Sequence, residues 1–195
     1  SSQTGTLPFG SKSTGYPLAR LAVRAMLGQK LDYLPELIKT KGVSVKVPIF
    51  SWLKITGLDT VLGPEMKSTG EAMGHGPTFG TAYLKAMKGG NKTLPTTGTV
   101  FLSVSNKLKL EFGDIAQELI DLGFNLIATK GTAAHLRRRG IDSKVIWRIS
   151  DRKQPDILSV MRNKRVDLII NLPTGRRAAT DGAQMRRLAV ELGIP

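Results

Sequence analysis

A segment rich in hydroxyl, basic and glycine residues lies at a predicted strand-to-helix junction in the second half of the chain. This segment reads Thr129-Lys130-Gly131-Thr132. A glycine at such a junction lets backbone N–H groups approach a bound anion, and the positive end of the helix dipole also favours negative charge. The segment therefore predicts a site for an oxyanion such as a phosphate group.

Further basic residues follow the other predicted strands of this half. The four loops after those strands contain eight lysines and arginines, namely Lys107, Lys109, Lys130, Arg148, Arg152, Lys153, Arg176 and Arg177. Asp151 is the single acid in these loops. Thr129, Thr132 and Thr174 add hydroxyl groups. Because an open parallel sheet binds ligands beyond the carboxyl ends of its strands, this edge is expected to hold a phosphate-bearing small molecule.

The elements that must position these loops alternate regularly from residue 98 onward. Apolar strands are predicted at residues 99–104, 124–128, 144–149 and 166–172. Helices are predicted at residues 114–122, 132–139, 155–163 and 181–192. Thr132, Pro155 and Asp181 have the residue types that begin helices. Four successive β–α repeats predict an α/β fold with a parallel sheet and flanking helices.

The first half of the chain is less regular. Short helices are predicted at residues 17–27, 33–38 and 78–87, and residues 43–51 alternate in the manner of a strand. Residues 57–76 are rich in glycine and show little periodicity. The two short helices and one clear strand within residues 1–70 are too few for an independent core, so we expect this part to belong to a larger domain.

Composition excludes several classes of function. The chain has 195 residues, of which 41% are hydrophobic, and no cysteine, so it forms no disulfide, Cys-ligated zinc site, iron–sulfur cluster or thiol nucleophile. Its apolar runs are far shorter than the ~20 residues that span a bilayer, so no membrane association is expected. A cytoplasmic location is predicted. The formal net charge of +14 favours an anionic partner.

Other kinds of site have weaker support in the sequence. The chain contains neither the Walker glycine motif nor the dinucleotide-binding glycine motif. His75 and His135 have no acidic cluster beside them, so no metal site is expected. No catalytic residue is assigned. Nucleic-acid binding is not expected, because aromatic residues are only 6% of the chain and its basic groups lie in separate loops.

Several motifs along the chain resemble one family. They are PF and SKSTGYPLA at residues 8–19, VKVPIF at 45–50, LGPEMKSTGEAMG at 62–74, GTVFLSV at 98–104, ATKGTA at 128–133, IN at 170–171, GRR at 175–177 and LGIP at 192–195. In this order they resemble the C-terminal segment of the carbamoyl-phosphate synthetase large subunit. The resemblance implies that residues 1–75 are the tail of the second ATP-grasp (carbamoyl phosphate synthetic) domain. Residues 76–195 would be a Rossmann-like, methylglyoxal-synthase-type allosteric domain, truncated at its C-terminus and lacking one strand.

The same resemblance implies a ligand and site residues. Allosteric domains of this family bind nucleotide monophosphates such as UMP or IMP, in enzymes of arginine and pyrimidine biosynthesis. The positions that match the family's effector contacts are Lys109, Thr129, Thr132, Arg148 and Asn171. Lys130, Gly131, Thr174 and Arg176 complete the site predicted from the loops. Asp181 matches an acid that the family links to ornithine.

The resemblance also implies partners and cofactors. The complete enzyme is a ligase that uses ATP with Mg or Mn, and it works with a glutaminase small subunit. This chain would contact the rest of the large subunit and could self-associate through its allosteric domain. The ATP-grasp ligands lie outside this sequence, so we expect the chain to be inactive alone and to hold no cofactor.

Two stand-alone enzymes remain as alternatives. A methylglyoxal synthase shares the fold but needs catalytic aspartates, and these loops offer only Asp151 and Asp181. The cyclohydrolase domain of purine synthesis resembles residues 102–107 and 129–132, but the match at residues 171–177 and the first 75 residues argue against it.

Overall fold

The computed structural model describes residues 3–30, 40–50, 68–173 and 176–195 of the chain. These residues fall into two compact units. The first unit includes residues 3–30, 40–50 and 68–93, and the second includes residues 94–173 and 176–195. The helix predicted at residues 33–38 lies outside the described residues.

The first unit contains an antiparallel strand pair and three helices. The helices are α1 (Gln3–Thr14), α2 (Leu18–Met26) and α3 (Phe79–Gly89), and the strands are β1 (Val43–Ile49) and β2 (Gly70–Gly76). Val43 lies opposite Gly76, and Ile49 lies opposite Gly70. The predictions of α2, β1 and α3 are confirmed, whereas α1 was not predicted. Thr78 caps α3, because its Oγ1 accepts a hydrogen bond from Thr81 N at 3.3 Å.

Strand β2 was also not predicted from the sequence, since four of its seven residues are glycine or alanine. Ala72, Gly74 and Gly76 alternate as its buried positions. A Cβ at position 74 would collide with the Ala82 carbonyl oxygen and the Ala86 backbone nitrogen of α3. The glycine thus allows the helix backbone to lie directly on the strand, which is a known use of glycine within strands.

This contact places helix α3 in the first unit, which continues to Thr93. The family resemblance instead implied a domain boundary after residue 75. The difference has a physical reason: α3 covers the buried face of β1 and β2, so its apolar residues Ala82 and Ala86 belong to their core. The assignment of this unit to an ATP-grasp tail stays a prediction.

The second unit is a parallel α/β sheet, as predicted. Its elements are β3 (Gly98–Val104), α4 (Lys109–Asp121), β4 (Phe124–Thr129), α5 (Lys130–Arg138), β5 (Lys144–Ile146), α6 (Ile157–Arg162), β6 (Leu168–Leu172) and α7 (Arg176–Leu192). The strand order is β5-β4-β3-β6, and each neighbouring pair is parallel. None of the helices described in either unit is long and apolar enough to cross a membrane.

Central strand β3 supplies core residues to both faces of this sheet. Leu102 packs with Phe112 of α4 and Leu136 of α5 in one apolar cluster. Phe101 packs on the other face with Met161 of α6 and Met185 of α7. Neighbouring strand residues point to opposite faces, so the consecutive apolar residues Val100, Phe101 and Leu102 of β3 are typical of a strand covered on both sides.

The predicted starts of all four helices in this unit are corrected by the structure, and α4 begins at Lys109 rather than at residue 114. Helix α5 begins at Lys130, so Thr132 lies within its first turn and is not its cap. Helix α6 is capped by Asp156, whose Oδ1 accepts a hydrogen bond from Ser159 N at 2.8 Å, so Pro155 does not open it. Helix α7 begins at Arg176, which leaves Asp181 inside the helix.

The close contact at Gly74 gives a test of the first unit. Gly74→Ala should destabilise β2 and α3 by about 1–3 kcal/mol, because the backbone atoms of α3 that it meets cannot turn away as a side chain would. Hydrogen exchange of peptides from residues 70–89 measures the effect. Gly70→Ala is the matched control, since a Cβ there has no atom within 4 Å. Equal protection of the two variants would contradict the interpretation.

Candidate phosphate-binding site

A cavity of about 720 Å³ lies at the carboxyl ends of the strands in the second unit. Strand β3 and its loop contribute Val104 and Ser105, β4 contributes Thr129, and β6 contributes Asn171. These ends coincide because the strands are in register, with Ser103 of β3 opposite Asn171 of β6. The cavity therefore lies at the edge where the sequence analysis expected a ligand.

The turn after β5 and the helix α7 form the remaining walls of the cavity. Arg148, Ser150 and Asp151 line it from the turn. Asp181, Gly182 and Met185 line it from α7. Of the predicted site residues, the structure thus places Thr129, Arg148, Asn171 and Asp181 directly on the cavity.

Lys109 lies beside this cavity, at the start of α4. Its Nζ donates a hydrogen bond of 2.7 Å to Oδ1 of Asn106, which lines the cavity. A Cβ at Gly131 would lie only 3.2 Å from the same Nζ, so this ammonium group reaches the first turn of α5. The absence of a side chain at Gly131 leaves the room for it.

The pKa of Lys109 is lowered by this crowded position. Partial burial, together with the positive charges of Arg148 and Arg138, lowers the pKa of its ammonium group below the ordinary value for lysine. The neighbouring cations destabilise the protonated lysine. An anion placed among these groups would relieve the repulsion.

Thr132 has a structural contact that the sequence did not reveal. Its side chain is 1% exposed, and its Oγ1 accepts a hydrogen bond of 3.1 Å from the Val104 backbone nitrogen. The hydroxyl groups of Thr129 and Thr132 are also 3.1 Å apart. Thr132 therefore holds the end of β3 to the start of α5, and Thr129 presents a surface to the cavity.

Lys130 lies against an aromatic ring. Its Nζ is 6.0 Å from the centroid of the Trp147 ring, and Nζ of Lys153 is 4.6 Å from the same centroid. Both distances are within the range of cation–π attraction. Lys130 is not among the cavity residues. The side chains of Thr174 and Arg176 lie outside the described part of the chain.

Two carboxylates fix the turn that presents Arg148. Asp181 Oδ2 accepts hydrogen bonds from Ser150 Oγ at 2.8 Å and from Ser150 N at 3.2 Å. Asp151 Oδ2 accepts one from Arg148 N at 3.2 Å. Sequence reasoning missed Ser150, because its partner is 31 residues away on α7. No sequence signal links them, since the contact depends on how α7 returns to the sheet.

The cavity combines groups suited to an organic phosphate. Lys109 and Arg148 supply positive charge, while Thr129 and Asn171 supply polar groups. Its apolar wall includes Ile157 and Met185. Among the described residues, no group of three or more His, Cys, Asp and Glu side chains is arranged to hold a metal ion.

Comparisons with known proteins match both units. Residues 111–195 match the family model of the MGS-like domain. The "Carbamoyl phosphate synthase large chain, C-terminal section" of Methanocaldococcus jannaschii is 45% identical over 202 residues, covering 97% of this chain and 33% of the relative. The large chain of Archaeoglobus fulgidus is 47% identical over 192 residues, covering 97% of this chain and 18% of the relative. The chain belongs to the carbamoyl phosphate synthase large-chain family, as a C-terminal segment. A further C-terminal section, from Methanopyrus kandleri, is 43% identical and covers 97% of this chain and 36% of the relative.

The extent of the similarity confirms the family that the motifs suggested. The similarity covers 97% of this chain and therefore extends beyond the MGS-like domain into the first unit. The segment spans between 18% and 36% of the length of these three relatives.

The buried hydroxyl of Thr132 yields a stability prediction. Thr132→Val should cost about 1–3 kcal/mol, because it leaves the buried N–H of Val104 without its acceptor. Thr132→Ser keeps the hydroxyl group and should cost less, about the value of one buried methyl group. Urea unfolding followed by circular dichroism compares the two variants. A smaller loss for valine than for serine would refute the role assigned to the hydroxyl group.

The position of Lys109 yields a pH prediction. In ¹³C-labelled lysine NMR, Lys109 should lose its proton at a lower pH than a free lysine side chain. Arg148→Ala should raise its pKa, because a neighbouring positive charge is removed. Protonated lysine attracts phosphate, so anion affinity should fall as the pH rises through this lowered pKa. An unchanged Lys109 titration in Arg148→Ala would show that the two cations do not interact.

Proposed function

We propose that the second unit is a regulatory domain that binds a nucleoside monophosphate of the UMP or IMP type in its strand-end cavity. In the whole carbamoyl phosphate synthase, this binding would adjust ligase activity to the demands of arginine and pyrimidine biosynthesis. The observation that carries the proposal is the convergence of Lys109, Arg148 and the start of α5 at one cavity.

The phosphate would bind at the end of the cavity near Lys109. Two cations there have no carboxylate partner within salt-bridge distance among the described residues. Charge-assisted hydrogen bonds from such groups to an anion contribute about 1.5–3 kcal/mol each. Thr129 and the first backbone N–H groups of α5 would add further donors, since a helix N-terminus favours negative charge.

The rest of the cavity would hold the sugar and base. A volume of about 720 Å³ lies within the range of about 300–1,000 Å³ that is common for small-molecule sites. Asn171 offers both a donor and an acceptor on its amide, which suits the polar edge of a base. Met185 and Ile157 are buried and offer apolar contact.

The remaining partners follow from the family. We propose that the first unit contacts the rest of the large chain and that the assembled enzyme works with a glutaminase small subunit, ATP and a divalent metal ion. Within this proposal, the second unit would also mediate self-association. The segment alone should lack ligase activity, which an assay of bicarbonate-dependent ATP hydrolysis would detect.

Titration calorimetry tests the ligand. UMP or IMP should bind, and the corresponding nucleosides without phosphate should bind at least tenfold more weakly, because the cations contact the phosphate. A nonspecific DNA duplex should not compete with the nucleotide. Failure of the parent chain to bind either nucleotide would refute the proposal. Turnover of dihydroxyacetone phosphate would favour a methylglyoxal synthase instead.

Variants of the two cations test the site. Lys109→Ala and Arg148→Ala should each weaken nucleotide binding about tenfold or more, and the loss should shrink at high salt because screening already weakens the charge interaction. Lys144→Ala and Arg165→Ala are matched controls, since both exposed residues lie at the amino ends of strands. Equal losses in the controls would indicate a general charge effect rather than this site.

A further inference from the structure

Helix α7 contains a glycine at a position where the helix lines the cavity. Gly182 is buried within this 17-residue helix and lines the cavity beside Asp181 and Met185. Glycine is a poor helix former, because it has more backbone freedom to lose than other residues. Its presence in the middle of a helix therefore suggests another reason at this position.

Neither backbone conformation nor close packing of backbones requires glycine here. Gly182 is not among the glycines with positive φ. A Cβ at this position would lie 2.9 Å from Nη1 of Arg186 and 3.5 Å from Nδ2 of Asn171, both of which are ends of side chains. This differs from Gly74, where a Cβ would meet the backbone of another element. What the absence of a side chain at Gly182 provides is a small space on the cavity wall, bordered by the ends of the Arg186 and Asn171 side chains.

The sheet topology separates this space from the end of the cavity where Lys109 reaches Gly131. Gly131 follows β4, whereas Asn171 belongs to β6, and these two strands flank β3 on opposite sides. Neighbouring strands are about 4.8 Å apart, so the two ends of the cavity are separated by roughly two strand spacings. A ligand with its phosphate near Lys109 would therefore place its other end near Gly182.

We propose that Gly182 is a specificity-determining residue, which leaves room for the sugar and base of a nucleotide beside Asn171. This inference rests on the proposed nucleotide site. It assigns Gly182 to the part of the ligand that does not carry the phosphate. A side chain at position 182 would then select against bulky bases without disturbing the anion contacts of Lys109 and Arg148.

The variant Gly182→Ala separates these effects. Calorimetry of the whole chain with inorganic phosphate, ribose 5-phosphate, UMP and IMP gives four affinities. We expect UMP and IMP to bind at least tenfold more weakly than to the parent, with the larger purine nucleotide affected more. Inorganic phosphate should change by less than twofold. The thermal midpoint should stay equal or rise, since alanine is the better helix former.

Two further variants control for a general effect of replacing a helical glycine and for displacement of Arg186. Gly80→Ala is the matched control, because Gly80 also lies within a helix and a Cβ there has no atom within 4 Å. The double variant Gly182→Ala with Arg186→Ala removes the nearest obstacle to the new methyl group and should remain impaired. Full recovery in the double variant would assign the loss to displacement of Arg186 and overturn the proposal.

Three other results of the calorimetry would overturn either the role of Gly182 or the proposed function. Unchanged UMP and IMP affinities in Gly182→Ala would overturn the role of Gly182 while leaving the nucleotide site intact. A parallel loss of inorganic phosphate would show general damage to the cavity and would overturn it as well. A parent chain that binds none of the four probes would refute the proposed function itself.

Discussion

The hydrogen bond from the Val104 backbone nitrogen to the buried hydroxyl group of Thr132 joins the two elements that define the ligand edge. Val104 is the last residue of the central strand, and Thr132 lies in the first turn of the helix that follows the neighbouring strand. A buried N–H group without an acceptor is costly, so this bond fixes where β3 ends relative to α5. The placement of the polar and charged groups around the cavity depends on that alignment.

The charges around the cavity differ from those elsewhere on the second unit. Arg139 pairs with Asp114 at 2.7 Å, and Arg187 pairs with Glu191 at 2.7 Å. At Lys109, partial burial and the positive charges of Arg148 and Arg138 instead lower the pKa of the ammonium group. Mutual repulsion of unneutralised cations raises the free energy of the empty site, and a phosphate dianion would lower it. This imbalance supports a bound anion more directly than the total charge of the chain does.

Glycine has two distinct roles in this segment. At Gly74 it lets helix α3 rest on strand β2, so the position serves packing within the first unit. At Gly182, which lines the cavity of the second unit, a Cβ would meet only the ends of the Arg186 and Asn171 side chains. The sequence shows the same residue in both places. Only the identity of the atoms that a Cβ would meet, backbone in one case and side-chain ends in the other, separates the two roles.

The alternation of apolar strands and amphipathic helices after residue 98 was sufficient to predict the α/β sheet, because each periodicity is a local property of the chain. The same order of elements placed Thr129, Arg148 and Asn171 after successive strands, and parallel strands share one carboxyl edge. The motifs were specific enough to indicate the family, which the comparisons confirmed. The local pattern did not predict β2, since its buried positions are occupied by Ala72, Gly74 and Gly76 and so show no large apolar residues at alternate positions.

The sequence by itself determined the fold class, the edge of the sheet where the cavity lies and the types of residue at that edge. Only the tertiary structure decided which of those residues meet. It placed the ammonium group of Lys109 beside Gly131 and the ammonium group of Lys130 near the ring of Trp147, although both lysines lie at the starts of helices. It showed that Thr132 and Asp181, which were expected to cap helices, instead form hydrogen bonds with other elements. Thr132 bonds to Val104, and Asp181 bonds to Ser150. These contacts join residues that are 28 and 31 positions apart, so they depend on strand order and helix placement, which local sequence patterns do not encode.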